Sequence, residues 1–142
     1  MQDQNFKNHA RMVPGYHYIT FLLVVLLLIG AIVNLVKSSS ENLYSASLLV
    51  LVPVIFLLIS FYARAFSLKA QDRAIKAEEN FRHYLLTGKP MNSELKMRQI
   101  IGLRFASDGE FPALAEKAVS EKMSEKEIKK SIVTWKPDYY RV

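Results

Sequence analysis

The three histidines, His9, His17 and His83, are the residues best suited to hold a metal or move a proton at neutral pH. Their spacing serves neither task. Nothing resembles H-E-x-x-H, and only Glu79 stands one helical turn before a histidine, His83. A structural metal wants three or four ligands, so no metal is expected and Glu79–His83 reads as a solvated helix pair. The chain has no cysteine, which excludes a thiol nucleophile, a disulfide framework, cysteine-ligated zinc and iron–sulfur centres. Its five glycines are scattered, with no Walker loop, dinucleotide-binding pattern or G-x-S-x-G turn, and no paired catalytic carboxylates stand out. The expectation is a non-enzymatic protein with no catalytic residues, no cofactor and no evident small-molecule substrate.

One cluster of interest lies at the C-terminal end, where Trp135, Tyr139 and Tyr140 alternate with Lys136 and Arg141. Trp135 can anchor a small helical core. The group can also sit at a bilayer interface, where Trp and Tyr partition well, or bind a partner, since aromatics and Arg are favoured hot-spot residues. Base stacking on RNA is a weaker fourth reading.

The elements that position these residues are set by hydropathy. Of the 142 residues 51% are hydrophobic, concentrated in residues 18–36 and 43–66. Tyr18 to Val36 is about 19 residues, which at about 1.5 Å each makes roughly the 30 Å of a hydrocarbon core. This run is too long for a typical signal peptide and no small-x-small cleavage site follows it, so a retained anchor is expected. Residues 37–47 form a short Ser-rich connection that forces antiparallel spans, with Asn42 or Ser45 as the next helix cap. The second run contains Pro53, which predicts a kink or close packing against the first helix at that level. Neither run contains an acidic residue, and the only basic one is Arg64, so a carrier or proton relay is not expected. Tyr16, Tyr18, Tyr62 and Arg64 mark the ends of the runs as interface anchors.

Beyond Arg64 nothing breaks the helix until Gly88 and Pro90. Phe66, Ala70, Ala74, Ala77, Phe81 and Leu85 recur at steps of three and four, forming one apolar stripe for a partner. Asp72–Lys76 and Glu78–Arg82 are acid-before-base pairs one turn apart. A third helix is expected over 92–106, capped by Asn92 or Ser93. A shorter one is expected over 110–123, with Pro112 in its first turn. The last should begin at the Ser124/Glu127 capping box and run to about Trp135. Residues 1–17 form a lead-in whose Phe6, Ala10 and Val13 make a stripe suited to the membrane interface.

The fold class is thus all-α and membrane-bound. An N-terminal segment spans 1–17, a transmembrane hairpin 18–66, and a cytoplasmic helical domain 67–142, with the second span continuing into the long helix. The net charge of +6 is spread outside the two apolar runs. Lys7 and Arg11 precede the first run, and Arg64, Lys69, Arg73 and Lys76 follow the second, against Lys37 alone in the loop. The positive-inside rule then puts both termini in the cytoplasm.

Four blocks, QNFKNHARMVPGYHY, FYARAFSLKAQDRAIKAEE, GLRFASDGEFPAL and IKKSIVTWKPDYYRV, resemble a domain-of-unknown-function family of two-span bacterial membrane proteins, of Bacteroidota type. The resemblance covers nearly the whole chain. It implies an integral inner-membrane protein with a cytoplasmic helical domain, and no activity. The expected function is an accessory or scaffold subunit in the bilayer, partnered by another membrane protein or by itself. The alternative is a module that binds an anionic lipid surface through its basic residues. Tethering of RNA or ribosomes ranks below both, because those basic residues are interleaved with acidic ones.

Overall fold

The computed structural model describes residues 4–10 and 12–139, and these are helical throughout their regular parts. A π-helical turn, Gly15–Thr20, leads into α1 (Phe21–Lys37), followed by α2 (Leu43–Thr87), α3 (Met97–Leu103), α4 (Phe111–Ser120) and α5 (Glu125–Ser131). No strand occurs among the described residues, although an isolated antiparallel bridge joins Ala106 to Trp135. The chain divides into two compact units. One is Arg11–Ser67, and the other combines Met1–Ala10 with Leu68–Val142.

Two helices are long and apolar enough to cross a membrane, Gly15–Lys37 and Leu43–Thr87, the second of which continues past Ser67 into the other unit. Their most apolar windows are only 6% and 11% buried. The chain therefore does not cover this surface itself, as it would the core helix of a soluble protein. Helix begins at Gly15, three residues before the expected Tyr18, directly after Pro14. A proline entering a first turn forfeits no hydrogen bond, since that N–H has no partner anyway. Within the first unit the buried positions are small or compact: Ala31 on α1, and Ala46 and Pro53 on α2. The Tyr16 hydroxyl donates to the carbonyl of Ser60 at 2.7 Å. Asn42 does not cap α2 through its side chain; its amide instead donates to Ser39 Oγ at 3.3 Å. α2 then runs unbroken for 45 residues, with Pro53 inside it.

The end of α2 follows the sequence closely. Gly88 has φ +73°, a backbone that only glycine adopts freely, and its N–H bonds the carbonyl of Tyr84 at 2.8 Å.

The second unit buries Ile75 of α2 together with Ile100, Leu103, Phe105, Phe111 and Ile128. α3 is much shorter than the expected 92–106. The Asn92 side chain accepts the N–H of Glu94 at 2.9 Å, an Asx turn that competes with helix. Helix starts only where the Lys96 N–H finds the Gln99 side chain, 2.9 Å away. The Gln99 amide then donates to the carbonyls of Ala118 and Met123, both at 2.9 Å, tying α3 to the end of α4. α3 also touches α5 very closely. A Cβ on Gly102 would lie 3.2 Å from both the Glu125 carbonyl and the Ile128 side chain.

Pro112 sits in the first turn of α4, as its sequence position requires. The Ser124/Glu127 box opens α5: Glu127 N–H donates to Ser124 Oγ at 3.3 Å, and Ser124 N–H to Glu127 Oε2 at 2.7 Å. This helix stops at Ser131 and does not reach Trp135. The cause is Glu110, whose carboxylate accepts the N–H groups of Val133 at 3.1 Å and Thr134 at 2.9 Å. Those donors are lost to the helix, and the extended chain pairs with Phe105 and Ser107 through Lys136 N–H and the Thr134 carbonyl.

Residues 4–10 depart from the expected interfacial stripe. Gln4 clamps the backbone of Asp138, donating to its carbonyl at 3.1 Å and accepting its N–H at 2.8 Å. His9 packs against Phe105 and Trp135 with ring centroids 5.6 Å from each, and its Nε2 lies 3.2 Å from Lys129 Nζ.

Candidate functional site

The long helix α2 has two contrasting faces along the part that belongs to the second unit. Ile75, Glu79 and Arg82 recur at four and three residues and are turned into the core. Advancing about 100° per residue, the stripe of Phe66, Ala70, Ala74, Ala77, Phe81 and Leu85 lies roughly 140° away. All six are exposed. Phe81 is 62% exposed and Leu85 67%, with Tyr84 at 54% on the same side. Aromatic and leucine side chains in water forgo about 1.5–3 kcal/mol each of burial free energy, so this face has the chemistry of a docking surface.

The opposite face is fastened by arginine. Arg82 is 11% exposed at its side chain, and Nη1 meets Glu79 Oε2 at 2.9 Å. Its Nε donates to Asp108 Oδ1 at 2.7 Å, and Nη2 donates to the Ala106 carbonyl at 2.7 Å. The guanidinium lies 4.4 Å above the Phe111 ring centre. This fork of donors is what Arg supplies and Lys does not. The Arg82 hydrogen bond and charge hold the Asp108 carboxyl below the usual carboxylate range. Burial raises Glu110, but the N–H groups of Val133 and Thr134 and the Ser107 donors outweigh it, leaving that carboxyl low as well.

Two expected pairings change. Arg82 turns inward to Glu79, not to Glu78, and among the described residues Asp72 and Lys76 form no ion pair. The Glu79–His83 pair is not formed either, because His83 Nδ1 lies 2.8 Å from the Lys89 carbonyl and its ring edge meets Phe111. A search for apolar spacing finds the stripe and misses the Ile75–Glu79–Arg82 face. The same three-and-four step, scored for one apolar residue flanked by an acid and an arginine, would have found it.

Among the expected interface anchors, Tyr16, Tyr18, Tyr62 and Tyr139 are exposed and Arg64 is half-buried. Trp135, read from the sequence as a core anchor or an interface residue, is partly buried. It packs against the buried cluster, with its ring centre 5.2 Å from that of Phe105, because the bridge to Ala106 draws it inward. Tyr140 lies outside the described residues. No cluster of three or more potential metal-ligating His, Asp or Glu side chains occurs among the described residues. A cleft of about 770 Å³, open to solvent, is lined by Lys96, Arg98, Lys122 and Lys126 against Glu94 and Glu125.

These features define an all-helical protein with two helices able to cross a membrane and a small helical unit built on the extension of the second. The chain belongs to the Family of unknown function (DUF6526), whose family model it matches over residues 1–142. No curated protein and no solved structure matches it.

Proposed function

We propose that this is a non-enzymatic integral protein of the bacterial inner membrane, an accessory or scaffold subunit that offers its helical unit to a protein partner, itself included. The observation that carries this reading is the exposed apolar face of α2, whose Phe81, Tyr84 and Leu85 are each more than half exposed while the opposite face is occupied by the core.

The topology that goes with it is a hairpin crossing at about 18–36 and 43–66, both ends in the cytoplasm. Cation placement supports it, with Lys37 alone in the connection. The clamp of Gln4 on Asp138 supports it independently. Two segments in contact lie on one side of a bilayer, so an even number of crossings separates them. A reporter fused after Val142 should be active only in the cytoplasm. Purification of the full chain in mild detergent, with mass determination and mass spectrometry, should give a dimer or a stoichiometric partner. A lone monomer would remove the scaffold reading.

The basic cleft favours a second reading, contact with anionic headgroups. In that case Lys96 and Lys126 of the full chain should be protected from amine labelling in anionic vesicles, but not in zwitterionic ones, and salt should abolish the protection.

A further inference from the structure

The spacing along the free face of α2 says more than that something docks there. Ala70, Ala74, Ala77, Phe81 and Tyr84 follow one another at steps of four, three, four and three, and all are exposed. This is the alternation of the inner positions of a two-stranded coiled coil. In that frame Ile75, Glu79, Arg82 and His83 all fall on the outer positions, and these are the residues held by the second unit's own core and loops. Folding therefore uses mainly the side of the helix away from the seam, apart from Asn80, a flanking position whose side chain accepts the Met91 N–H at 2.9 Å.

Charge identifies the occupant. The positions flanking the seam carry Arg73 on one side and Glu78 on the other, both exposed. In a parallel, in-register pair, the first flanking position of one helix faces the residue five further along its partner. Arg73 of each copy then meets Glu78 of the other, twice by symmetry. The remaining nearby cations, Lys69 and Lys76, fall outside the seam. Two copies anchored in one bilayer with one topology necessarily offer α2 in the same direction and at the same depth. Three successive alanines allow helix axes to approach to about 8 Å, the near end of the usual range. The aromatic pair Phe81 and Tyr84 closes the seam beyond them.

We propose that the chain pairs with a second copy of itself, parallel and in register, through the face of α2 from Ala70 to Tyr84, with reciprocal Arg73–Glu78 contacts. This deepens the scaffold reading and rests on it.

The absence of native cysteine makes the test direct. Single variants Ala70→Cys, Ala74→Cys, Ala77→Cys and Lys76→Cys of the full chain are oxidised with copper phenanthroline in native membranes. Trp135 fluorescence checks that each is folded. Disulfide-linked dimer should form at the three alanines and lag at Lys76. In the Ala77→Cys background, Arg73→Glu should lower dimer yield about threefold to tenfold, given two exposed pairs turned to repulsion. Adding Glu78→Arg should restore it. Equal cross-linking at Lys76 and Ala77, or dimers indifferent to charge reversal, would overturn the paired register. If the alanine variants instead link to a different protein, the second copy is overturned and the scaffold reading stands. If they link to nothing, both fall.

Discussion

The two units of this protein obey opposite burial rules. In Arg11–Ser67 the buried residues are Ala31, Ala46 and Pro53, while Leu, Ile and Phe side chains point outward at around half exposure. In the unit that combines Met1–Ala10 with Leu68–Val142 the core also takes in large side chains: Phe105, Phe111, Ile100, Leu103 and Ile128 are fully buried beside Ala106 and Ala118. Water drives the second pattern, since apolar area is what folding removes from it. The first suits lipid, where tails are as apolar as leucine and helices gain mainly from close backbone approach at small residues. The same amino acids thus carry different weight by location, and α2 passes from one regime to the other within a single helix.

The sharpest way to break this contrast is to make one change in both places. Phe105→Ala should cost the second unit about 3–5 kcal/mol, the usual result of emptying a core position. Phe56→Ala, at a position 48% exposed in the first unit, should change stability by well under about 1 kcal/mol in a bilayer. Unfolding in micelles followed by Trp135 reads the first, and helicity during detergent titration reads the second. Equal losses would end the contrast.

A smaller effect is expected where the second unit is tightest. Gly102→Ala forces a methyl against the Glu125 carbonyl and Ile128, and overpacking of this kind costs about 1–3 kcal/mol. Gly30→Ala, where an added Cβ meets nothing within 4 Å, should be neutral or slightly stabilising in the same assays.

The smallest effect is a pH dependence confined to the second unit. Glu110 has a folded pKa below its ordinary value. Its contribution is therefore fully present above about pH 4.5 and fades as pH falls through the lower folded value. Acid should loosen the Val133–Thr134 attachment and shift Trp135 emission, and Glu110→Gln should flatten that response. A Trp135 signal unchanged by the substitution would separate Glu110 from the acid transition.

Local signals were the legible part of this sequence. The apolar runs, Gly88 as a left-handed terminator, Pro112 in a first turn and the Ser124/Glu127 box each act within a few residues, and the structure has all of them. What escaped depends on groups far apart in the chain. Glu110 shortens α5 from more than 20 residues away, and Arg82 abandons Glu78 for a network completed by Asp108 and Ala106. Gln4 reaches Asp138 with no local pattern to announce it. The stripe on α2 was visible as apolar spacing. Its freedom from the core was not, because that depended on which polar residues the core would accept on the other side.

The Gln4 clamp also sets a timetable. Its partner, Asp138, is 134 residues away, so this contact must wait until nearly the whole described chain has been made. At about 5–20 residues per second, roughly 70 residues separating Ser67 from Asp138 take several seconds to synthesise. Both apolar helices have emerged by then. The early segment stays unfastened until then, and its fastening is among the last acts of assembly.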